Sequence, residues 1–371
     1  MKPCSAILHV ISRLDGYGGA RMLRRLAAIQ AAEGCPTTVA AMRAERSIEH
    51  ELGSSGAAVV RLERRWTIDP AAVWRLSRLI RKHRPPVVHA WDVAAAAHVA
   101  LAAGRRGPWL LATLAAPDVG PPWPAFLLGR LKQRIHAFAA TDGRAAAALA
   151  EIGVPGQSIT LIPPAAPPAP PSPVSRADLL AHFRLPADAR LIAVAGPLQR
   201  RKEFDQAIWS FELLRVLHEN AVLLVLGDGP DYERLERFAD LVCDPGAVRL
   251  LGYRPDIGGI LPHIDVFWQV SPTVSTPLAM LEVAAAGVPV VASDFPAHRA
   301  MVSHGRTGFL VPPWDRAEVV RATDALLGDP ELTRRVGDLA RTSALQHWPL
   351  PSALDSYRRL YEQACGKLRS Q

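Results

Sequence analysis

The residue types able to do chemistry in this chain stand at the ends of short apolar runs. Lys202 closes the stretch Gly196-Pro197-Leu198-Gln199-Arg200-Arg201-Lys202, directly after the strand-like run Leu191–Ala195. A cation placed at a strand end can neutralise negative charge that builds on a departing group. The other reading of Lys202 is a surface lysine in a basic turn. Thr276-Pro277-Leu278 opens a helical pattern after a strand, where free backbone amides and the helix dipole suit a diphosphate. Pro277 fits the first helical turn, because an amide is least missed there. Glu282 stands about one and a half turns further on; it reads either as a carboxylate able to anchor a diol or as a solvated helix charge. Gly18-Gly19, between the first strand and the first helix, lets backbone approach a bound group closely, and also fits an ordinary turn.

Other chemistries lack their residues. The four cysteines, Cys4, Cys35, Cys243 and Cys365, form no CxxC pair and have no histidine at zinc-ligand spacing, which points to a reducing cytoplasm with neither disulfide framework nor metal site. There is no Ser-His-Asp arrangement, no pair of carboxylates at useful spacing, no P-loop and no Asp-x-Asp motif. The opening MKPCSAILHVISRL is too short and too polar for a signal peptide. The longest apolar run, Val93 to Ala103, has 11 residues including His98 and falls short of a membrane span. Membrane contact is therefore expected to be peripheral.

The elements that must position these residues alternate. In the first half, strands are expected at 6–11, 37–41, 87–90, 110–114 and 137–140, with helices at 19–33, 70–83 and 144–152 between them. In the second half, strands are expected at 191–195, 222–226, 248–251, 266–269, 288–292 and 309–311, with helices at 204–218, 232–241, 277–286 and 316–327. Strand and helix in alternation imply parallel sheets with helices on both faces. Between the halves runs Pro163 to Ser175, PPAAPPAPPSPVS, in which seven of thirteen residues are proline. Such a segment serves as an extended spacer, although an SH3-type ligand has the same composition. The expected organisation is a Rossmann-like domain over 1–162, a linker over 163–175, a second Rossmann-like domain over 176–345, and a C-terminal helical segment over 346–371 that crosses back to the first domain. Ligands of such an α/β architecture sit outside the carboxyl ends of the strands, in a cleft between the domains.

Charge divides along the same line. The formal net charge is +8, yet residues 1–162 carry 21 Lys and Arg against 11 Asp and Glu, while 163–371 carry 22 against 24. The first half is the one suited to an anionic partner. With no helix-turn-helix, RNP or zinc signature, nucleic acid is not expected.

Four ordered motifs of the second half carry a family resemblance. They are Val225-Leu226-Gly227-Asp228-Gly229-Pro230, Val248-Arg249-Leu250-Leu251-Gly252-Tyr253, the run from Thr276 to Asp294, and Gly305-Arg306-Thr307-Gly308-Phe309-Leu310-Val311-Pro312-Pro313. In this order and at these intervals the chain resembles the nucleotide-binding domain of the family-four retaining glycosyltransferases, which have the GT-B fold of two Rossmann-like domains with parallel sheets facing a central cleft. In the first half the resemblance rests on Gly18-Gly19-Ala20, on Pro86-Val87-Val88-His89, and on Ile152-Gly153-Val154 leading to Ile159–Pro163.

The resemblance implies a nucleotide-diphosphate sugar as donor substrate, with no further cofactor. It implies phosphate contacts from Lys202, with Arg200 and Arg201 as neighbouring charges, and donor binding by Gly18, Gly19, Gly196, Thr276, Pro277, Leu278 and Glu282, the last on the ribose hydroxyls. It also implies front-side attack, in which the leaving phosphate takes the acceptor proton. Four positions depart from the family pattern: Ala115 replaces a histidine, Pro197 an arginine, and Val274 and Ala300 acidic residues. Two functions stand side by side, a transferase acting in cell-envelope or exopolysaccharide synthesis and a binding protein built on the same scaffold without transfer; a nucleotide-sugar epimerase shares the architecture but lacks identifiable acid and base residues. An anionic or lipid-linked acceptor, met at the inner face of the membrane, is the expected partner of the basic half. The amphipathic stretch Val73–Lys82 and the segment Trp123–Arg134 mix aromatic and basic residues, and each suits either a lipid surface or a sheet-packing helix with a solvated arginine face. His89-Ala90-Trp91 reads either as lining for an acceptor pocket or as a hydrogen-bonded core pair.

Overall fold

The computed structural model describes residues 6–104, 107–115, 122–165, 174–272 and 277–369. Two compact units divide the chain: Met1–Pro164 together with Pro351–Gln371, and Ala165–Leu350. The first unit holds strands β1 (Ile7–Ile11), β2 (Thr37–Ala41), β3 (Ala58–Arg61), β4 (Val87–Ala90), β5 (Trp109–Leu114), β6 (Ala137–Ala140) and β7 (Ile159–Leu161). They lie in the order β3-β2-β1-β4-β5-β6-β7, and each neighbouring pair is parallel. Helices α1 (Gly18–Ala32), α2 (Arg46–Ser54), α3 (Pro70–His83), α4 (Val93–Ala102), α5 (Pro122–Leu131) and α6 (Gly143–Glu151) make the crossovers.

The second unit holds β8 (Arg190–Ala195), β9 (Ala221–Leu226), β10 (Val248–Leu250), β11 (Val266–Gln269), β12 (Val290–Ser293) and β13 (Phe309–Val311), in the order β10-β9-β8-β11-β12-β13, again all parallel. Its helices are α7 (Arg176–His182), α8 (Phe204–Arg215), α9 (Tyr232–Val242), α10 (Ile257–Ile260), α11 (Leu278–Ala285), α12 (Pro296–Arg299), α13 (Arg316–Gly328) and α14 (Pro330–His347). The last helix, α15 (Leu350–Arg369), belongs to the first unit from Pro351 onward. Along β8, Ile192 and Val194 enter one apolar core and Leu191 and Ala193 another, as a sheet covered on both faces requires.

Local chemistry sets the helix limits. α3 begins at Asp69, whose carboxylate accepts from the amides of Ala71 at 2.9 Å and Ala72 at 3.4 Å, with Pro70 in the first position. Ala72, Leu76 and Ile80, four apart, are buried, and Arg84 closes the helix in the left-handed region at φ 44°. This face packs inward while Trp74 remains exposed, so α3 is a sheet-packing helix with a solvated basic side.

Strands β3 and β7 and helices α2, α4, α7, α10, α12 and α14 stand outside the expectation. Strands β3 and β7 lie at the two edges of their sheet, where partial exposure spares them a continuous apolar run. The apolar run from Val93 is α4, buried along almost its whole length and too rich in alanine to show a helical stripe. Among the described residues no helix is long and apolar enough to cross a membrane.

Candidate functional site

Each sheet reverses its strand order once, between β1 and β4 in the first unit and between β8 and β11 in the second. Loops diverge at such a point and leave a crevice beyond the carboxyl ends of the strands. In the second unit that crevice is a cavity lined by Ala195 at the end of β8, by Lys202, Glu203 and Phe204 on the following turn, and by Gln269 and Ser271 from the end of β11.

The turn carrying Lys202 is shaped by its neighbours. Gly196 adopts φ 150°, and its carbonyl oxygen would lie 1.9 Å from a Cβ placed on Gly227, so the two loops approach as only glycine permits. The amide of Leu198 donates to the carbonyl of Asp228 at 3.0 Å, and that of Asp231 to the carbonyl of Leu198 at 3.1 Å. Arg200, Arg201 and Lys202 then form one 3-10 turn, closed by Glu203 in the left-handed region at φ 49°. Arg200 is 78% exposed and lies 3.6 Å from the Asp231 carboxylate. Exposed Arg201 donates to Gln199 Oε1 at 2.9 Å. Lys202 is the member of the basic run that lines the cavity.

Glu282 is 7% exposed, which removes the reading of a solvated helix charge. Pro277 stands at the N-cap of α11 rather than within its first turn, and Leu278 is the first helical residue. Thr276 and Val274 lie outside the described residues. Gly18 opens α1 at φ 47°, and a Cβ on Gly19 would lie 3.7 Å from the Trp91 carbonyl, at the reversal point of the first sheet. There Asp92 accepts from the amide and hydroxyl of Ser12, at 2.7 and 2.6 Å, and caps α4 through the amide of Ala95 at 2.7 Å. Ala115 and Ala300 are exposed positions without a polar side-chain group.

His298, a residue without a sequence signal, sits beside this crevice. It is fully buried on α12, its Nδ1 lies 2.6 Å from the carbonyl of Ser293, and Ser293 Oγ donates to the carbonyl of Val270, another cavity residue, at 3.1 Å. Because a carbonyl only accepts, the ring proton resides on Nδ1. Burial, with the Lys202 charge acting in the same sense, lowers the pKa of the ring and keeps it neutral. Nε2 is buried as a lone pair with no hydrogen-bond partner among the described residues.

His89 and Trp91 take the core reading. Trp91 Nε1 donates to His9 Nδ1 at 3.0 Å, and His9 Nε2, which must then carry the proton, reaches Gln30 Oε1 at 2.8 Å. His89 joins Tyr361 Oη at 2.8 Å and Thr113 Oγ1 at 2.7 Å, and Thr113 donates to Tyr357 Oη at 3.3 Å. Strands β4 and β5 are thereby tied to α15.

Two all-parallel Rossmann-like sheets, of seven and six strands, each reversing its strand order once, have the architecture of the GT-B class of glycosyltransferase scaffolds. The family model of glycosyl transferases group 1 matches residues 176–343, and that of glycosyltransferase family 4 matches residues 17–169. The chain belongs to this glycosyltransferase family. It is 28% identical over 184 residues to N-acetyl-alpha-D-glucosaminyl L-malate synthase of Bacillus anthracis, a match that takes in 50% of this chain and 48% of that protein. With the lipopolysaccharide core biosynthesis glycosyltransferase LpsD of Rhizobium meliloti it shares 25% identity over 294 residues, 79% of this chain and 80% of the other. The match thus spans about half the length of the first relative and most of the second. The crystal structure of Anabaena HepE in complex with UDP-glucose superposes with a TM-score of 0.82 at 17% identity, covering 99% of this chain and 100% of that one; at that identity the likeness concerns the fold.

Proposed function

We propose that the protein transfers a sugar, with retention of configuration, from a nucleotide-diphosphate donor held by the second unit to an acceptor held by the basic first unit, in the synthesis of a cell-envelope or exopolysaccharide glycan. The observation that carries this reading is the position of Lys202 on the cavity at the strand-order reversal of the second sheet. A cation there stabilises charge on the departing diphosphate, and the reaction then needs positioning more than a protein nucleophile. The UDP-glucose in the HepE complex makes a UDP-sugar the first donor to try, and the role named for LpsD favours an envelope glycan. Trp74 and Phe126 are exposed on α3 and α5 with Arg78 and Arg130 against their rings, a pairing suited to an anionic lipid surface bearing the acceptor.

A second reading, binding without transfer, is favoured by Ala115, Pro197, Val274 and Ala300, none of which offers charge or a proton. Calorimetry with UDP, together with donor hydrolysis and transfer measured across a panel of nucleotide sugars, decides between them. Tight binding without turnover of any donor would remove the transferase. Lys202→Ala is expected to weaken UDP binding about tenfold or more, and unchanged affinity would remove the assignment of this site.

A further inference from the structure

The turn that carries Lys202 is braced from across the sheet. Glu203 and Trp314 are non-glycine residues held at positive φ, 49° and 62°, a region that a bulky side chain enters only when its surroundings hold it there. They are bonded to each other: Trp314 Nε1 donates to Glu203 Oε2 at 2.7 Å. One follows the turn after β8, and the other follows β13 at the sheet edge. A second bond runs alongside, with Arg316 Nε and Nη2 donating to Gln206 Oε1 at 3.1 and 2.9 Å. The Arg316 guanidinium also lies 5.5 Å from the centre of the Trp209 ring. The first turns of α8 and α13 are thus cross-linked. Phe295, between β12 and α12, meets Trp314 edge-on at 5.8 Å and adds a third loop to the brace. Trp314 is 59% exposed, so deep burial does not hold its backbone at positive φ.

We propose that Trp314 and Glu203 are positioning residues that hold the Lys202 turn in register with the cavity it lines. A lysine ammonium rides on a flexible stem, so its contribution depends on how firmly the backbone beneath it is fixed. The inference rests on the donor-binding role of Lys202 and deepens it: the charge comes from Lys202, its placement from a residue 112 positions away in the sequence.

A double-mutant cycle with UDP as the probe tests it. Trp314→Gly removes the indole and relieves the left-handed backbone, so the melting temperature should not fall, while the UDP dissociation constant rises about fivefold. Trp314→Phe, which retains a ring but no N–H, should weaken UDP binding similarly. Glu203→Gln, which keeps an acceptor oxygen, should bind UDP nearly as well as the parent protein, whereas Glu203→Ala should not. In a Lys202→Ala background, Trp314→Gly should have no further effect. If Lys202→Ala weakens binding but Trp314→Gly and Trp314→Phe leave it unchanged, the positioning role is wrong and the donor site stands. If Lys202→Ala itself changes nothing, the site assignment fails first. Equal losses from Trp314→Gly with and without Lys202 would show that the indole acts independently of the lysine, which also overturns the inference.

Discussion

Buried histidines in the two units live under opposite conditions. In the first unit His9 and His89 have both ring nitrogens engaged: His9 lies between Gln30 and Trp91, and His89 joins Thr113 and Tyr361, with Thr113 bonded in turn to Tyr357 of α15. In the second unit His298 is equally buried, but among the described residues only Nδ1 is engaged. A satisfied polar network in a low-dielectric interior rigidifies the elements it joins, whereas an unengaged lone pair contributes no such bond. The polar core of the first unit serves architecture: it fastens a helix from the far end of the sequence onto the sheet.

The contrast can be broken most directly at His89. Replacing it by Ala leaves the Tyr361 and Thr113 hydroxyls without their imidazole and opens a cavity, so a loss of about 4 kcal/mol is expected in urea unfolding of the first unit. A loss under about 1 kcal/mol would mean that the network is decorative.

Acidity probes both units at once. Burial lowers the pKa of His9 to about 4, holds that of His89 well below its ordinary value, and lowers those of His98 and His298. Below pH about 6.5 the unfolded chain binds protons that the folded chain refuses, so stability is complete above that pH and declines as pH falls toward 4. Each such ring contributes a slope of about 1.4 kcal/mol per pH unit within its window. Denaturation midpoints measured between pH 8 and 4.5 should be level above 6.5 and fall below it; in a His89→Ala protein the slope should be shallower by one histidine's share.

The smallest effect is expected at His298. His298→Phe gives up one engaged nitrogen in a ring of similar size, and about 1 kcal/mol should be lost, far less than at His89. A loss matching that of His89 would show that the second nitrogen is engaged after all and would dissolve the contrast.

Much of this molecule is legible along the chain. Periodicity places strands β2, β4, β6, β11 and β13 at their observed bounds, because each is a short, mainly apolar run set between helical patterns. Edge strands β3 and β7 escape that rule, and α4 escapes the helical one because small residues surround it on all sides. At the site, the basic turn after β8 stands out along the chain, but only the structure tells Lys202, which lines the cavity, from Arg200, which leans toward Asp231, and from exposed Arg201.

Sequence alone therefore determined the two parallel α/β units, the family and the turn that bears the candidate lysine, since each of these depends on residues close together in the chain. Only the tertiary structure decided that Glu282 is buried, that His89 and Trp91 belong to the core, and that Trp314 braces Glu203. Those outcomes depend on which loops meet at the carboxyl edge of a sheet and which helix returns to it. Contacts between residues 111 or 272 positions apart leave no local pattern, because what selects them is the packing of whole elements rather than the spacing of neighbours.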